Sequence, residues 1–425
     1  MPFHLNRTLR LFSCCCPQVE HSSSDVGGTY GPLARTRFEP RPSLRVDDLR
    51  ACYRGLNDVK RGLRLFVGAL IMTLFLVAPP SAAWSQVPAE TAPKPLSVSI
   101  PEVLANTHVA SVSFAEIVNG KLTIAEAFGE QSPGVPATTS TLYNMASMTK
   151  PISAEVILRL ASQGKLSMDE PMYAYWTDPD IANDERRKLL TPRLVLSHQT
   201  GFPNWRRETG GRLAFIRTPG TAYGYSGEGF EYVARFAEKR TGEAFETLAQ
   251  QLIFGPAGMT STAYTRRDWF KGRIAVPTDG DGKWLVPSVA DKCSAADMVY
   301  TTPSDYSRFL IGVMNGQGLS FALRADRSRI QVDHDFKSCT AAWAAGCPDE
   351  VGFGLGWEII KVRGKTFWMH TGRDPGLFTV GFIDPVERTG TIIFTNSERG
   401  AEVVVPLLHL LGGDPVFIAY LEGQR

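Results

Sequence analysis

Ser147 and Lys150 lie three residues apart in NMASMTKPISAEV (residues 144–156), where a turn gives way to a helical pattern. At that spacing the two side chains share one helix face. A cation at the positive end of a helix is misplaced by a few tenths of a kcal/mol or more. An unprotonated amine there could instead take the proton of the neighbouring hydroxyl and make the serine a nucleophile. The backbone N–H groups of the same helix start are suited to a developing oxyanion. A second Ser-x-x-Lys, Ser162 to Lys165, falls at a helix end beside Gly164, where no dipole assists the serine. Two further elements follow in order. TPGTAYGYSGEGF (218–230) places Tyr225 in a loop ahead of a helix, and FWMHTGRDPGLF (367–378) places His370-Thr371-Gly372 at a strand end.

These residues need a scaffold that brings distant segments together. VASVSFAEIVNGKLTIAEAFG (109–129) reads as two alternating strands around Asn119-Gly120, a strong hairpin signal. The helix opening at Ser147 should turn Ile152, Val156, Ile157 and Leu160 inward and stop near Gly164, with Pro151 tolerated in its first turn. A Gly- and Pro-rich middle follows, with helices expected at 228–241 and 243–254. Segments 353–362, 366–371, 377–384 and 391–396 read as strands, and 400–411 as a final helix. Strands at both ends with helices between predict an α+β fold, its antiparallel sheet built from N- and C-terminal segments with a helical subdomain inserted.

With all three motifs in order, the chain resembles the serine β-lactamase and penicillin-binding protein superfamily, especially its class C β-lactamase and family VIII esterase branch. LVLSHQTGFPNW (194–205), PGTAYGYS (219–226), GPAGMTST (255–262) and FGLGW (353–357) carry the resemblance between the motifs, over residues 101–411. The resemblance implies Ser147 as nucleophile, Lys150 as its partner base and Tyr225 as a proton shuttle whose hydroxyl reaches both. His370 would take the place of the third motif's lysine. The backbone N–H groups of Ser147 and Arg373, beside Gly372, would form the oxyanion hole. Whether Lys150 or Tyr225 is the acylation base stays open. Two departures bear on substrate. Gly227 stands where the family usually has asparagine, which removes an amide suited to a substrate's amide. His370 replaces a lysine, and an imidazole of ordinary pKa is mostly neutral at pH 7 and holds a carboxylate poorly, although Arg373 could compensate. Both tilt the reading from β-lactams and peptides towards uncharged esters. A β-lactamase, a D-Ala peptidase and a silent cell-wall ligand binder are the alternatives; the last should have lost Ser147, Lys150 or Tyr225. His198, in LSHQTG, reads as a packing landmark and Asn144 as a turn residue. The lipase elbow Gly-x-Ser-x-Gly is absent, its nearest match being broken by Glu228.

Of 425 residues, 43% are hydrophobic and 21% charged, and 45 basic residues balance 43 acidic ones to a net charge of +2. Nothing in that balance suggests a nucleic-acid surface. The seven histidines form no pair at metal-ligand spacing, and no zinc or cofactor signature is found. The expected partner is a small ester or amide, and the chain is read as a monomer. RGLRLFVGALIMTLFLVAPPSAAWSQ (61–86) has two arginines, an apolar run from Leu65 to Ala78 and a small-residue tail. This is the pattern of a secretory signal over 61–83, too short for the roughly 20 residues of a membrane span. Residues 1–60 would then be a non-native or disordered extension, with translation starting near Val59. A signal-anchored inner-membrane protein is the alternative to a periplasmic or secreted one. Residues 84–100 read as a linker and 101–425 as the hydrolase domain. In an exported protein Cys339 and Cys347, which bracket CTAAWAAGC, could form a disulfide, leaving Cys293 free as packing.

Overall fold

Among the described residues eleven strands are formed in chain order: β1 Ser111–Val118, β2 Lys121–Ser132, β3 Val135–Pro136, β4 Tyr143–Asn144, β5 Tyr300–Thr301, β6 Val332–Asp333, β7 Glu350–Phe353, β8 Glu358–Val362, β9 Lys365–Asp374, β10 Leu377–Asp384 and β11 Thr389–Thr395. They come from a computed structural model that describes residues 94–334, 339–340 and 343–424. The expected extension at 1–60 and signal at 61–83 lie outside the described residues. Nine strands make one sheet in the order β3-β2-β1-β11-β10-β9-β8-β7-β6, while β4 and β5 pair separately. The hairpin turns at Asn119-Gly120, and β1 pairs antiparallel with β11, Phe114 opposite Ile393. The two ends of the chain therefore share the sheet, as the strand pattern implied.

The sheet is covered on both faces, and alternate residues of a strand feed different cores. Val112 and Phe114 join one buried cluster with Ile393, Val380 and Phe367; Ala115 and Ile117 join another with Ile392, Phe394 and Trp368. The first cluster is closed by helices Leu96–Thr107, Ala401–Leu411 and Pro415–Gly423. The second is closed by the inserted helices, with Thr149–Ser162 at their centre. Burial of each large aliphatic side chain there contributes about 1.5–3 kcal/mol.

Several boundaries depart from expectation. The linker is shorter than expected, because Leu96–Thr107 is a helix that buries Ser99, Ile100 and Leu104. Its Pro- and Ser-bearing sequence reads as loop, and packing against the C-terminal helices overrides that propensity. Segment 353–362 is two strands, since the chain reverses through residues 354–357, where Gly354 N–H donates to Trp357 O at 2.8 Å. The helix expected at 243–254 is a single turn, Phe245–Ala249, followed by a wide π-turn, Gln250–Phe254. Helix Pro415–Gly423 follows the last expected one; Asp414 caps it, accepting from Val416 N at 2.9 Å and Phe417 N at 3.1 Å.

The Thr149–Ser162 helix buries more than the one expected stripe. Every residue from Thr149 to Leu160 is buried. The polar side chains this encloses are paired: Arg327 donates to Glu155 at 2.5 Å, and Arg159 donates to the Leu252 carbonyl. Burying such groups without partners would cost several kcal/mol.

Candidate active site

Ser147 lies in a tight 3-10 turn, Ala146–Met148, that runs directly into the Thr149–Ser162 helix, and it is half-buried. The residue before it, Ala146, has a φ of 44°, in the left-handed region that costs a non-glycine residue about 1 kcal/mol or more. Neighbouring bonds hold the turn there. Ala146 N donates to Asn144 Oδ1 at 2.9 Å, Met145 N donates to Val299 O at 2.8 Å, and Thr379 Oγ1 donates to Met145 O at 2.9 Å. Among the described residues the N–H of Ser147 itself has no acceptor. One turn on, Lys150 is fully buried, and its Nζ donates to Ser147 Oγ at 2.9 Å and to Ala296 O at 2.8 Å. The amine is thus held between the serine and a single backbone carbonyl.

Tyr225 precedes helix Gly227–Thr241, which Ser226 caps by accepting from Gly229 N at 3.1 Å. Lys150 Nζ lies 4.9 Å from the centre of the Tyr225 ring. The hydroxyl does not reach as expected: among the described residues it makes no hydrogen bond to Ser147 or Lys150, and the amine meets the ring instead. That is a cation–π distance. Gly227 leaves no room for a side chain, because a Cβ would fall 2.8–3.0 Å from the Trp205 indole. Gly227 N donates to Asn204 Oδ1 at 2.9 Å, so the side-chain amide beside this helix start comes from a different loop.

His370, Thr371, Gly372 and Arg373 follow one another on β9. Strand β8 begins at Glu358, opposite Met369, so residues 370–374 have β10 on one side and, among the described residues, no strand on the other. Gly372 is required by close approach, since a Cβ there would fall under 3.0 Å from Met145 O and Thr379 Oγ1. His370 is buried, and its Nδ1 lies 2.7 Å from Thr371 O. A carbonyl only accepts, so Nδ1 carries the proton and Nε2 is a lone pair. Nε2 has no partner among the described residues. Burial, then nearby Lys150, lower the pKa of His370 to about 3, so the imidazole is neutral at pH 7. Arg373 is exposed, its guanidinium 5.3 Å from the Phe378 ring centre.

A cavity of about 360 Å³ is lined by Ser147, Tyr225, His370, Thr371 and Arg373, together with Asn204. The fold thus brings together Ser147, Lys150, Tyr225, His370 and the Gly372–Arg373 edge from three separate segments. Asn144 holds the nucleophile turn, as its reading as a turn residue implied; sequence reasoning missed Ala296 and Thr379, neither of which belongs to a motif, because each acts through a backbone group or a bond that exists only once the chain has folded. It also missed a carboxyl pair. Asp297 and Asp374 hydrogen-bond to each other and line a neighbouring cavity of about 660 Å³. Burial, then repulsion from Asp297, push Asp374 up to about 7. Asp374 follows the His-Thr-Gly motif by two residues, so its nearness to the site was legible, but its partner was not.

Among the described residues no group of three or more His, Cys, Asp or Glu could hold a metal ion. Cys339 and Cys347 form a disulfide, their Cα atoms 5.7 Å apart. Cys293 is free and half-buried, and burial pushes its thiol pKa up. No described helix is long and apolar enough to cross a membrane.

A mixed fold of this topology, with a Ser-x-x-Lys turn packed against an open strand edge, defines a class of serine hydrolase scaffold. The Beta-lactamase family model matches residues 99–411, so the chain belongs to the beta-lactamase family. It is 22% identical over 332 residues to penicillin-binding protein 4 of Amycolatopsis lactamdurans, covering 72% of this chain and 86% of that protein. It is 26% identical over 182 residues to esterase EstB of Burkholderia gladioli, covering 36% of this chain and 45% of that one. The fold is that of D-alanine carboxypeptidase AmpC from Burkholderia cenocepacia, with a TM-score of 0.61 at 19% identity over 75% of this chain and 97% of that one.

Proposed function

We propose that the protein is an exported serine hydrolase that forms an acyl-enzyme on Ser147 and acts as a carboxylesterase on uncharged esters. The observation that carries this reading is the contact between Lys150 Nζ and Ser147 Oγ at 2.9 Å, with the amine anchored on Ala296 O. Ser147 Oγ attacks the ester carbonyl while its proton passes to Lys150 or Tyr225. The oxyanion formed is held by the N–H groups of Ser147 and Arg373. As the tetrahedral intermediate collapses, the C–O bond to the alcohol breaks and the alkoxide takes a proton by way of Tyr225. Water then attacks the acyl-enzyme by the reverse route, giving the carboxylic acid and free Ser147. Catalytic hydrogen bonds such as that of the Tyr225 hydroxyl often form only around substrate.

The preference for uncharged esters rests on His370 and Gly227. A neutral imidazole offering a lone pair holds a carboxylate poorly, and Trp205 fills the space where an amide side chain at 227 would lie. A peptidase reading is favoured by one observation, the exposed Arg373 guanidinium beside the same cavity, which could take a carboxylate. Assays with p-nitrophenyl butyrate, nitrocefin and a D-Ala-D-Ala peptide separate the two. The ester should be turned over fastest, and faster hydrolysis of the peptide would overturn the preference. A fluorophosphonate probe should label the peptide containing Ser147; an adduct on another serine would overturn the nucleophile.

A further inference from the structure

From the geometry of one buried imidazole we infer that His198 is a positioning residue for the reaction, fixing Tyr225 from its main chain, its ring nitrogen and its ring face at once. The inference rests on the reading of Tyr225 given above.

His198 is fully buried, and it engages the chain on both sides of Tyr225. Its carbonyl accepts from Gly224 N at 2.8 Å, and its Nδ1 accepts from Ser226 N at 3.1 Å. The ring lies 4.3 Å from the Tyr225 ring, tilted by 31°. Tyr225 is therefore bracketed at the residue before it, the residue after it and its own side chain by a single side chain and its peptide. Phe353 and Phe230 close the other approaches, with ring centres 4.6 and 5.3 Å from that of His198.

The bond from Ser226 N also sets the state of the imidazole. An N–H can only donate, so Nδ1 must be a lone pair and the proton must reside on Nε2. Nε2 has no partner among the described residues. Leaving a buried donor unpaired costs about 1–3 kcal/mol. An apolar side chain of the same shape would avoid that cost, so packing alone does not account for a histidine here. What the imidazole adds is the acceptor at Nδ1. Burial holds the ring neutral, which preserves that acceptor. The backbone is also unusual, since His198 has a φ of 55°. That geometry lets its carbonyl and its ring face the same segment.

The test separates the ring from the acceptor. His198→Asn keeps an acceptor near Nδ1 and tolerates positive φ, but loses the ring; His198→Phe keeps the ring and loses the acceptor. Each is made in the wild-type and Tyr225→Phe backgrounds and assayed with 4-methylumbelliferyl butyrate. In the wild type, His198→Phe should lower kcat about 10–100-fold with KM within about threefold, and His198→Asn should lose less. In the Tyr225→Phe background either change should cost less than about threefold more, because the group being positioned is gone. Losses that multiply across the two sites, or a rise in KM at unchanged kcat, would overturn the inference. If His198→Phe does not fold, the His198→Asn pair alone decides by the same criterion. Full activity in Tyr225→Phe would instead sink the reading of Tyr225, a distinguishable outcome.

Discussion

Gly372→Ala is the substitution whose effect follows most directly from distances. Strand β9 crosses the nucleophile turn so closely that a Cβ at 372 would lie under 3.0 Å from both Met145 O and Thr379 Oγ1, and 3.2 Å from Ala146 Cβ. Two of these atoms are backbone or bonded directly to it, so they cannot swing aside as a long side chain would. Restoring ordinary contact requires β9 to withdraw from the turn by on the order of 1 Å, a displacement that typically costs about 100-fold in rate when it separates catalytic groups. Overpacking of this kind costs about 1–3 kcal/mol. Loss of the Thr379–Met145 bond adds about 1 kcal/mol. The expected outcome is a folded protein, destabilised by about 2–4 kcal/mol, with kcat for p-nitrophenyl butyrate down about 100-fold and KM little changed. Steady-state kinetics beside thermal melts would read both quantities. A folded Gly372→Ala protein with kcat within twofold of wild type would refute the idea that the β9 edge and the Ser147 turn form one catalytic surface.

Ser147→Ala should abolish ester hydrolysis while leaving the thermal midpoint nearly unchanged. Lys150→Ala and Tyr225→Phe should each cost several orders of magnitude in kcat, and the double change little more, because residues sharing a proton path are not additive; a multiplicative loss would separate them. Asp374, held up at about 7 against an ordinary 3.8, binds its proton more tightly folded than unfolded. Its contribution is full below pH 3.8 and is lost as pH rises through 7, so Asp374→Asn should gain stability relative to wild type between pH 4 and 8. Parallel melting curves for the two proteins across that range would contradict this. The Cys339–Cys347 loop is short, so a double Cys→Ser change should cost only about 2–3 kcal/mol and still fold, as denaturant titration would measure. Expressed from Met1 in a bacterial host, the chain should yield an exported product beginning near residue 84 by N-terminal sequencing; retention of residues 1–60 would favour the anchor.

The resemblance carried by the order of motifs implied that Ser147, Lys150, Tyr225 and His370 share one site, and each motif's local signal marked only its own element: a helix start, a pre-helix loop, a strand end. The Asn119-Gly120 hairpin and the sharing of one sheet by both chain ends were legible, since period-two alternation and turn chemistry are local. Helix Leu96–Thr107 and the split of β7 from β8 were not, because burial against distant helices and a reversal at FGLGW decide them. The site's finer chemistry was also decided only in three dimensions. Residue type made His370 mostly neutral, but burial beside Lys150 and the Thr371 carbonyl assign its proton. The acceptor for Lys150 is a backbone carbonyl at Ala296, and every residue has a carbonyl, so no residue type marks it. Asp297 and Asp374 lie 77 positions apart in sequence and become a proton-sharing pair only where a loop meets the end of β9. Sequence records which groups are present, and close packing determines which of them lose water and gain one another.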